Sequence, residues 1–272
     1  MPPTPAMKKG DALQREIART KLKEGEAGIW WMGQATFCLK VGGSLIYYDP
    51  YFRDADQKAN ILGEMPLRPG EMTGASLMCC SHDHIDHTDP LTLPVAAKAS
   101  PGATILLPYL SWKVARSAGV PARRMRVMRG DDSFTAGGLH VTALPSAHMD
   151  LQFSPRTGHR FLGYVIQGNG VTLYHPGDTQ PYACWRERVD RFELDIALLP
   201  INGNDNLFYQ QAVYFCAIHR PRLVIPIHYG HSPGNTEDPR KFAKLLKTNV
   251  PDQKFRILKA GERFVYRRRK GV

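Results

Sequence analysis

Short apolar runs, separated by polar or glycine-containing breaks, predict that most of this chain forms β-strands. The runs are too short for typical helices, and many are rich in β-branched or aromatic residues, which favour strands. They predict strands over residues 28–32, 36–41, 44–48, 76–80, 103–107, 139–144, 161–167, 171–174, 196–199, 223–227, 255–257 and 263–266.

Longer segments between the later runs predict helices over residues 91–98, 109–118, 180–189, 208–219 and 239–248. Two glycine-containing breaks, at 42–43 and 168–170, are typical of hairpin turns. Hairpins early in the chain, followed by strands that alternate with helices, predict an α/β protein with two mixed sheets between helices. Residues 1–25 are predicted to be a charged, partly helical extension, and 26–272 a single domain.

Residues 81–89, the histidine loop, carry three histidines and three aspartates in nine positions. The loop follows a predicted buried strand. In an extended segment His82 and His84 point to the same side, so both can bind one ion. Asp86 and His87 are adjacent, and a turn can direct them to a second point nearby. The loop leads into a predicted helix start with Thr88 or Asp89 as the N-cap. The alternative is a polar helix cap with incidental histidines.

The histidine loop resembles the His-x-His-x-Asp-His signature of the metallo-β-lactamase superfamily. The resemblance implies an αββα sandwich and three further metal ligands, each after a strand. Residues that fit this order are His148, Asp178 and His228. The implied assignment gives His82, His84 and His148 to one metal and Asp86, His87 and His228 to a second, with Asp178 bridging.

Four segments, at 30–36, 173–179, 195–203 and 224–228, look like the ascorbate-6-phosphate lactonase group within that superfamily. The group often has His where this chain has Gln34. The resemblance implies a hydrolase that uses a metal-activated hydroxide on a small, anionic ester, lactone or phosphoester. It implies two divalent ions, zinc or manganese with iron as an alternative, and Asp86 and Asp178 as catalytic residues.

Two other functions stay open: a phosphodiesterase that acts on phospholipid or nucleic acid, and a non-catalytic metal-binding protein on the same fold. The sequence has no RNA-binding motif, which disfavours nucleic acid. The net charge of +11 would attract an anionic substrate, but a solvated basic surface is the favoured explanation.

Weaker candidates surround the predicted ligands. Asp49 ends a predicted strand and would hold an imidazole N–H, or else is a turn carboxylate. Tyr229 and His231 follow the last ligand and would donate to an oxyanion, or else serve packing. Further candidates for supporting or substrate contacts are Gln34 and Asn202.

Composition narrows the setting of the protein. No apolar stretch is long enough to cross a membrane, and no apolar signal segment follows Met1. The five cysteines form no C-x-x-C pair and are predicted to be reduced core residues of a cytoplasmic protein. A homo-oligomer stays open.

Overall fold

Fifteen strands are present in the part of the chain that the computed structural model describes, residues 7–53 and 64–268. They are β1 Glu26–Gly33, β2 Thr36–Val41, β3 Ser44–Tyr48, β4 Leu77–Cys79, β5 Thr104–Leu107, β6 Met125–Val127, β7 Ser133–Ala136, β8 Leu139–Pro145, β9 Phe153–Ser154, β10 Gly158–His159, β11 Leu162–Gly168, β12 Val171–His175, β13 Ile196–Pro200, β14 Leu223–Ile227 and β15 Arg263–Arg267. The helices are α1 Gly10–Arg19, α2 Thr92–Ala99, α3 Tyr109–Ser117, α4 Trp185–Val189, α5 Tyr209–His219 and α6 Pro239–Asn249.

Two mixed sheets form the body of the molecule. The first sheet has the order β15-β1-β2-β3-β4-β5-β6, and the second has the order β14-β13-β12-β11-β8-β7. A separate small hairpin joins β9 to β10. Helices flank both sheets, so the predicted α/β sandwich is confirmed. No helix in the described residues is long and apolar enough to cross a membrane.

The hairpin turns follow from glycine and asparagine at positions that need a positive φ. Between β11 and β12, Asn169 has φ 50° and Gly170 has φ 73°, and Gly168 pairs with Val171 on either side. Two consecutive positive φ values are the signature of the turn that best matches strand twist. The turn predicted at 168–170 is therefore confirmed.

The inner strands of the first sheet, β1 to β5, are covered on both faces, which is why they are apolar at nearly every position. In β1, Ile29 and Trp31 belong to the core that fills the space between the sheets and continues beneath α5 and α6. Trp30 and Met32 point to the opposite face, where they join a second core. That second core is closed by residues of α1, α2 and α3.

The N-terminal extension contains α1, which packs onto the first sheet. Leu13 and Ile17, one turn apart, are fully buried in the second core. Lys40 donates to the carbonyl oxygens of Ile17 and Ala18 at 3.0 and 2.8 Å, and so satisfies two carbonyl groups at the end of the helix. Whether residues 1–25 are separate from the domain stays a prediction.

Several predicted elements differ from the structure. The strand predicted at 255–257 is wrong, because only Phe255 forms a bridge, to Val224. The helix predicted at 180–189 begins only at Trp185, since Cys184 has φ 64° and the Gln180 N–H donates to the Ala147 carbonyl. Strands β6, β7, β9 and β10 were not predicted. They are short and, apart from Gly158, have no fully buried residue, so they lack a continuous apolar run.

Cysteine placement follows the prediction at four of five positions. Cys38, Cys79, Cys80 and Cys216 are buried and free. Cys184 is exposed, so the prediction that the cysteines are core residues is wrong there. It lies in the loop that replaces the first turns of the predicted helix.

Topology gathers several strand ends at one edge of the sandwich. β3, β4 and β5 run parallel, as do β12, β13 and β14. β8 points the same way as β12, because each is antiparallel to β11. The loops that leave the carboxyl ends of these strands therefore meet, which is where open sheets commonly bind ligands. We call this the ligand edge.

Candidate metal centre

The histidine loop and three distant residues meet at the ligand edge. The loop leaves β4, His148 and Asp178 follow β8 and β12, and His228 comes directly after β14. All seven predicted ligands appear in groups whose ligand atoms lie within 4.8 Å of one another. The groups are His82, His84 and His148; His82, His87 and Asp178; and Asp86, His87 and His228.

Asp178 lies between the group of His82, His84 and His148 and the group of Asp86, His87 and His228. Its Oδ2 atom is 3.3 Å from His87 Nε2 and 3.9 Å from His148 Nε2. Its Oδ1 atom is 3.4 Å from His228 Nε2. The second carboxylate, Asp86, contacts only the second group: its Oδ2 atom is 3.5 Å from His87 Nε2 and 3.8 Å from His228 Nε2. One carboxylate thus faces members of both groups, as a bridging ligand must.

Three buried atoms in this cluster have no hydrogen-bond partner among the described residues: His82 Nε2, His87 Nε2 and Asp178 Oδ1. Leaving such an atom unsatisfied in a protein interior costs about 1–3 kcal/mol. Three unsatisfied buried atoms at one point would be unusual in a region that serves only packing. All three atoms face one another, and nitrogen and carboxylate donors of this kind suit a divalent ion.

The electrostatics of the cluster favour a cation. Burial, reinforced by the neighbouring His87, lowers the pKa of His82 well below its usual range, so that ring stays neutral. Burial also acts to lower the pKa of His87, but Asp178 and Asp86 outweigh it and hold that pKa well above the usual range. Burial would raise the pKa of Asp178, yet His87 and His228 hold it well below. The carboxylates around His87 thus draw positive charge to this point, either as a proton on the ring or as a divalent ion that takes the place of that proton.

Asp49 holds the histidine loop in place through hydrogen bonds from His87 and Ser81. It has φ 43° and is fully buried at the end of β3. His87 Nδ1 donates to Asp49 Oδ2 at 2.7 Å, which leaves the His87 Nε2 lone pair facing the cluster. Ser81 also donates to Asp49, through its N–H and its hydroxyl, both at 2.7 Å. This arrangement fixes the tautomer and orientation of a predicted ligand.

Gln34 and Asp205 orient two other histidines. His148 Nδ1 donates to the Asp205 carbonyl oxygen at 2.9 Å, so His148 Nε2 is free. The Gln34 amide nitrogen lies 3.1 Å from His228 Nδ1, while its oxygen is buried without a partner among the described residues. With the amide turned by half a rotation, the oxygen accepts the His228 Nδ1 proton and frees His228 Nε2.

Close backbone contact holds Asp178 against the loop. Gly177 has φ 68°, and a Cβ atom there would lie 2.7 Å from Ser81 Cβ and 2.8 Å from the Leu162 carbonyl oxygen. Gly163, on β11, is equally close to the backbone of Pro176. Larger residues would push the Asp178 loop away from the histidine loop, so these glycines set the spacing of the cluster.

The remaining candidates lie around the cluster without a hydrogen bond to a predicted ligand among the described contacts. Tyr229 donates its hydroxyl to the Leu258 carbonyl at 2.6 Å, and its ring lies against Trp31, which is the packing alternative. His231 Nε2 lies 3.1 Å from the sulfur of Met65. Asn202 donates to the side chain of Asn235 at 2.6 Å and so joins two loops.

Sequence reasoning missed Ser81 and Phe161. Besides its bonds to Asp49, the Ser81 hydroxyl lies 3.0 and 3.1 Å from Nδ1 of His82 and His87. The Phe161 ring packs against the rings of His82, His84 and His148. Ser81 directly precedes the first ligand, so its position was an available signal. No local pattern marked Phe161.

Comparison with known proteins agrees with this geometry. Residues 28–228 match the beta-lactamase superfamily domain. A UPF0173 metal-dependent hydrolase from Aeropyrum pernix is 30% identical over 251 residues, which cover 88% of this chain and 98% of that protein. The chain therefore belongs to the beta-lactamase superfamily and, within it, to the family of the UPF0173 metal-dependent hydrolases. The predicted superfamily resemblance is confirmed.

Solved structures show the same fold at lower identity. The metallo hydrolase Igni18 from Ignicoccus hospitalis has a TM-score of 0.69 and 22% identity, with 90% of this chain and 100% of that chain covered. An isothiocyanate hydrolase from Delia radicum gut bacteria has a TM-score of 0.71 and 16% identity, with 89% and 100% covered. At these identities the likeness concerns the fold alone.

Proposed function

We propose that this chain is a hydrolase that cleaves a small ester, lactone or phosphoester with the help of two divalent ions, zinc or manganese, or iron. The observation that carries the proposal is the set of buried, unpartnered donor atoms on His82, His87 and Asp178. The family supports it, since the relative from Aeropyrum pernix is described as a metal-dependent hydrolase.

The donor set could hold two ions in the arrangement that the family resemblance implies. His82, His84 and His148 would hold one ion, and Asp86, His87 and His228 the other, with Asp178 between them. Ions bound there would supply Lewis acidity and an ionisable water. Both zinc and manganese accept mixed imidazole and carboxylate ligands, and so does iron.

The protein's own residues divide the remaining work. Asp86 is the more exposed of the two carboxylates, with 23% of its side chain accessible against 5% for Asp178, so it orients the attacking water. Asp178 lies between both histidine groups and carries a proton towards the leaving group. Gln34, Asp49 and the Asp205 carbonyl keep three imidazoles in position.

The net charge of +11 supports an anionic substrate only indirectly, because it reflects the whole surface. The anionic character of the substrate therefore stays a prediction. The same holds for the homo-oligomer and for the cytoplasmic location.

Three substrates with different chemistry test the proposal: a sugar lactone, an acyl ester and bis-p-nitrophenyl phosphate. We expect chelator-sensitive turnover of the lactone or the ester by protein loaded with zinc or manganese. Turnover of the phosphodiester alone would select the phosphoester branch of the proposal and make the phosphodiesterase alternative the better account of the natural substrate. Stoichiometric metal without turnover of any substrate would favour the non-catalytic alternative and contradict the proposal.

A further inference from the structure

Exposed apolar side chains surround the predicted metal ligands. Ile85, between His84 and Asp86, is 50% exposed, and Met149, next to His148, is 61% exposed. Phe208, at the start of α5, is 58% exposed. Single exposed apolar residues are ordinary. These three belong to three different segments that meet at one site, and we call them the apolar rim.

Contacts between the segments place the apolar rim at the ligand cluster. The His148 ring centroid lies 5.0 Å from that of His84, which brings the Met149 segment next to the histidine loop. His148 also donates to the Asp205 carbonyl, which joins it to the loop of residues 202–208. A Cβ atom on Gly203 would lie 2.6 Å from the Phe208 ring, so that ring packs back over this loop.

Met149 shows a further sign that its position serves a ligand. It has φ 69°, a left-handed conformation that side chains with a Cβ atom rarely adopt. Asparagine or glycine would relieve the backbone, and a polar residue would suit the exposure. Backbone strain together with an exposed apolar side chain at the edge of a candidate active site is typical of a functional position.

Two arginines near the histidine loop in the described part of the chain, Arg53 and Arg160, are each paired with an aspartate. Arg160 forms a two-pronged ion pair with Asp83, at 2.8 and 3.1 Å, and donates to the Gln152 side chain at 3.2 Å. Arg53 donates twice to Asp89, at 3.1 and 2.8 Å. Fully paired guanidinium groups attract a substrate anion poorly, because the partner carboxylate cancels their field.

Two carboxylates add negative charge at the same place. The backbone of Asp150 forms an isolated β-bridge with that of His148. Asp150 is exposed, and so is Asp205. With two divalent ions bound, Asp86, Asp178 and Asp49 would offset three of their four positive charges. Asp150 and Asp205 would then leave little net positive charge for a phosphate or carboxylate. The surroundings of the cluster therefore favour an uncharged, apolar substrate over an anionic one.

We infer that the substrate is an uncharged ester or lactone with an apolar alkyl or acyl group, which the apolar rim binds while the ester group lies at the ligand cluster. This inference rests on the proposed function. In the hydrolysis, the oxygen of water bonds to the carbonyl carbon and the carbonyl carbon–oxygen single bond breaks. The leaving alkoxide takes up a proton, so the products are an acid and an alcohol, or one hydroxy acid from a lactone.

A series of γ-lactones with growing alkyl chains, from γ-valerolactone to γ-decalactone, tests the inference on zinc-loaded or manganese-loaded protein. We expect kcat/KM to rise about two- to fourfold for each added methylene, as burial of apolar surface predicts. A γ-lactone with a terminal carboxylate on a chain of equal length should react more slowly than its uncharged counterpart.

Two variants at the rim and one elsewhere assign the effect. Phe208→Ser and Ile85→Asn should each reduce the ratio of kcat/KM for γ-decalactone to that for γ-valerolactone by about 3- to 10-fold, as loss of apolar contact predicts. Serine suits the helix N-cap, so Phe208→Ser should fold. The control is Tyr214→Ser, at a 66% exposed aromatic residue on α5, which should keep the wild-type ratio.

A binding measurement gives a readout without turnover. Calorimetric titration with 2-hexylcyclopentanone, which cannot be hydrolysed, should show tighter binding than 2-methylcyclopentanone and a more negative heat capacity change. A flat chain-length profile in an active enzyme, or a preference for the carboxylated lactone, would overturn the inference and leave the proposed function intact. Metal-loaded protein that hydrolyses no lactone, ester or phosphoester would overturn both.

Discussion

The two ends of β14 lie in very different surroundings. At its first residue, Leu223, the strand borders a cavity of about 740 Å³ that is also lined by Arg220, Arg222, Lys254 and Arg267. At its other end, the chain turns into His228 and the compact cluster of predicted ligands. The cavity is a large space, whereas the ligand atoms of each group at the other end lie within 4.8 Å of one another.

The two ends of β14 differ in whether the buried polar atoms near them have hydrogen-bond partners. Below the cavity, the fully buried Asp195 accepts hydrogen bonds from the Tyr266 hydroxyl and the Thr172 N–H, both at 2.9 Å. At the ligand edge, buried atoms of His82, His87 and Asp178 have no partner among the described residues. Volume therefore locates a groove, whereas several unsatisfied buried polar atoms gathered at one point indicate a site that can bind an ion.

The largest expected difference between the two ends comes from replacing Asp178 at the ligand edge and Asp195 at the opposite end. Asp178→Asn should reduce kcat/KM more than about 100-fold, because a metal ligand should matter more than the groups that orient one. Metal content should fall as well. Hydrolysis of the best substrate and elemental analysis of the purified variant measure both effects.

Asp195→Asn is the matched control at the opposite end. It should lower the free energy of unfolding by about 1–3 kcal/mol, because a buried hydrogen-bond partner is lost, and keep its metal. Near-full activity of Asp178→Asn with both metals bound would exclude the bridging role. Metal loss in Asp195→Asn would remove the contrast between the two ends.

Asp49 and Ser81, which hold the histidine loop in place, should affect metal binding less than the predicted ligands do. Asp49→Asn should weaken metal binding about 10- to 100-fold, since His87 loses the carboxylate that fixes its tautomer. Ser81→Ala should cost less, because Asp49 keeps its bond from His87. Competition with a chromophoric chelator measures both affinities. Equal affinities in Asp49→Asn and wild-type protein would show that Asp49 is only a turn carboxylate.

Gly177→Ala tests the close contact that sets the cluster spacing. An added Cβ would meet both Ser81 and Leu162, so we expect a loss of about 2–4 kcal/mol in the free energy of unfolding, from left-handed backbone strain and overpacking. The matched control is Gly138→Ala, which has φ 77° and no atom within 4 Å of the added Cβ. It should cost only the backbone term of about 1–2 kcal/mol. Equal losses in urea unfolding would refute the spacing role.

His175 should give the ligand edge a pH dependence of stability that is not due to metal binding. Burial, opposed by the hydrogen bond to the Ala35 carbonyl, lowers the pKa of His175 to about 3 from 6.5. The unfolded chain therefore takes up a proton that the folded chain does not. This contribution to stability is complete above pH 6.5 and falls by about 1.4 kcal/mol per pH unit as the pH drops towards 3.

Urea unfolding of metal-free protein at pH 7 and pH 5 measures this effect. His175→Gln should reduce the loss of stability between the two pH values, whereas His140→Gln, at an exposed residue, should not. An unchanged pH dependence in His175→Gln would contradict the assignment.

Local patterns predicted the apolar strands, the hairpins and the histidine loop, because each depends on residues close together in sequence; the short, exposed strands β6, β7, β9 and β10 have no such pattern. His148, Asp178 and His228 needed the family resemblance, since each is a single polar residue after a strand. The Asp205 carbonyl could not be predicted, because every residue has a carbonyl and only the tertiary fold brings this one to His148. Segment 255–257 failed because an apolar run does not show whether a pairing partner lies beside it.

Metal content of protein purified without chelator tests the central claim most directly, with His148→Ala and His228→Ala as comparison variants. The account predicts about two equivalents of zinc, manganese or iron per chain, since the donors form two ion-sized groups. Each variant should lose one ion more readily than the other. Wild-type protein that binds no stoichiometric metal, even after reconstitution with zinc and manganese, would contradict the claim that the ligand edge is a metal centre.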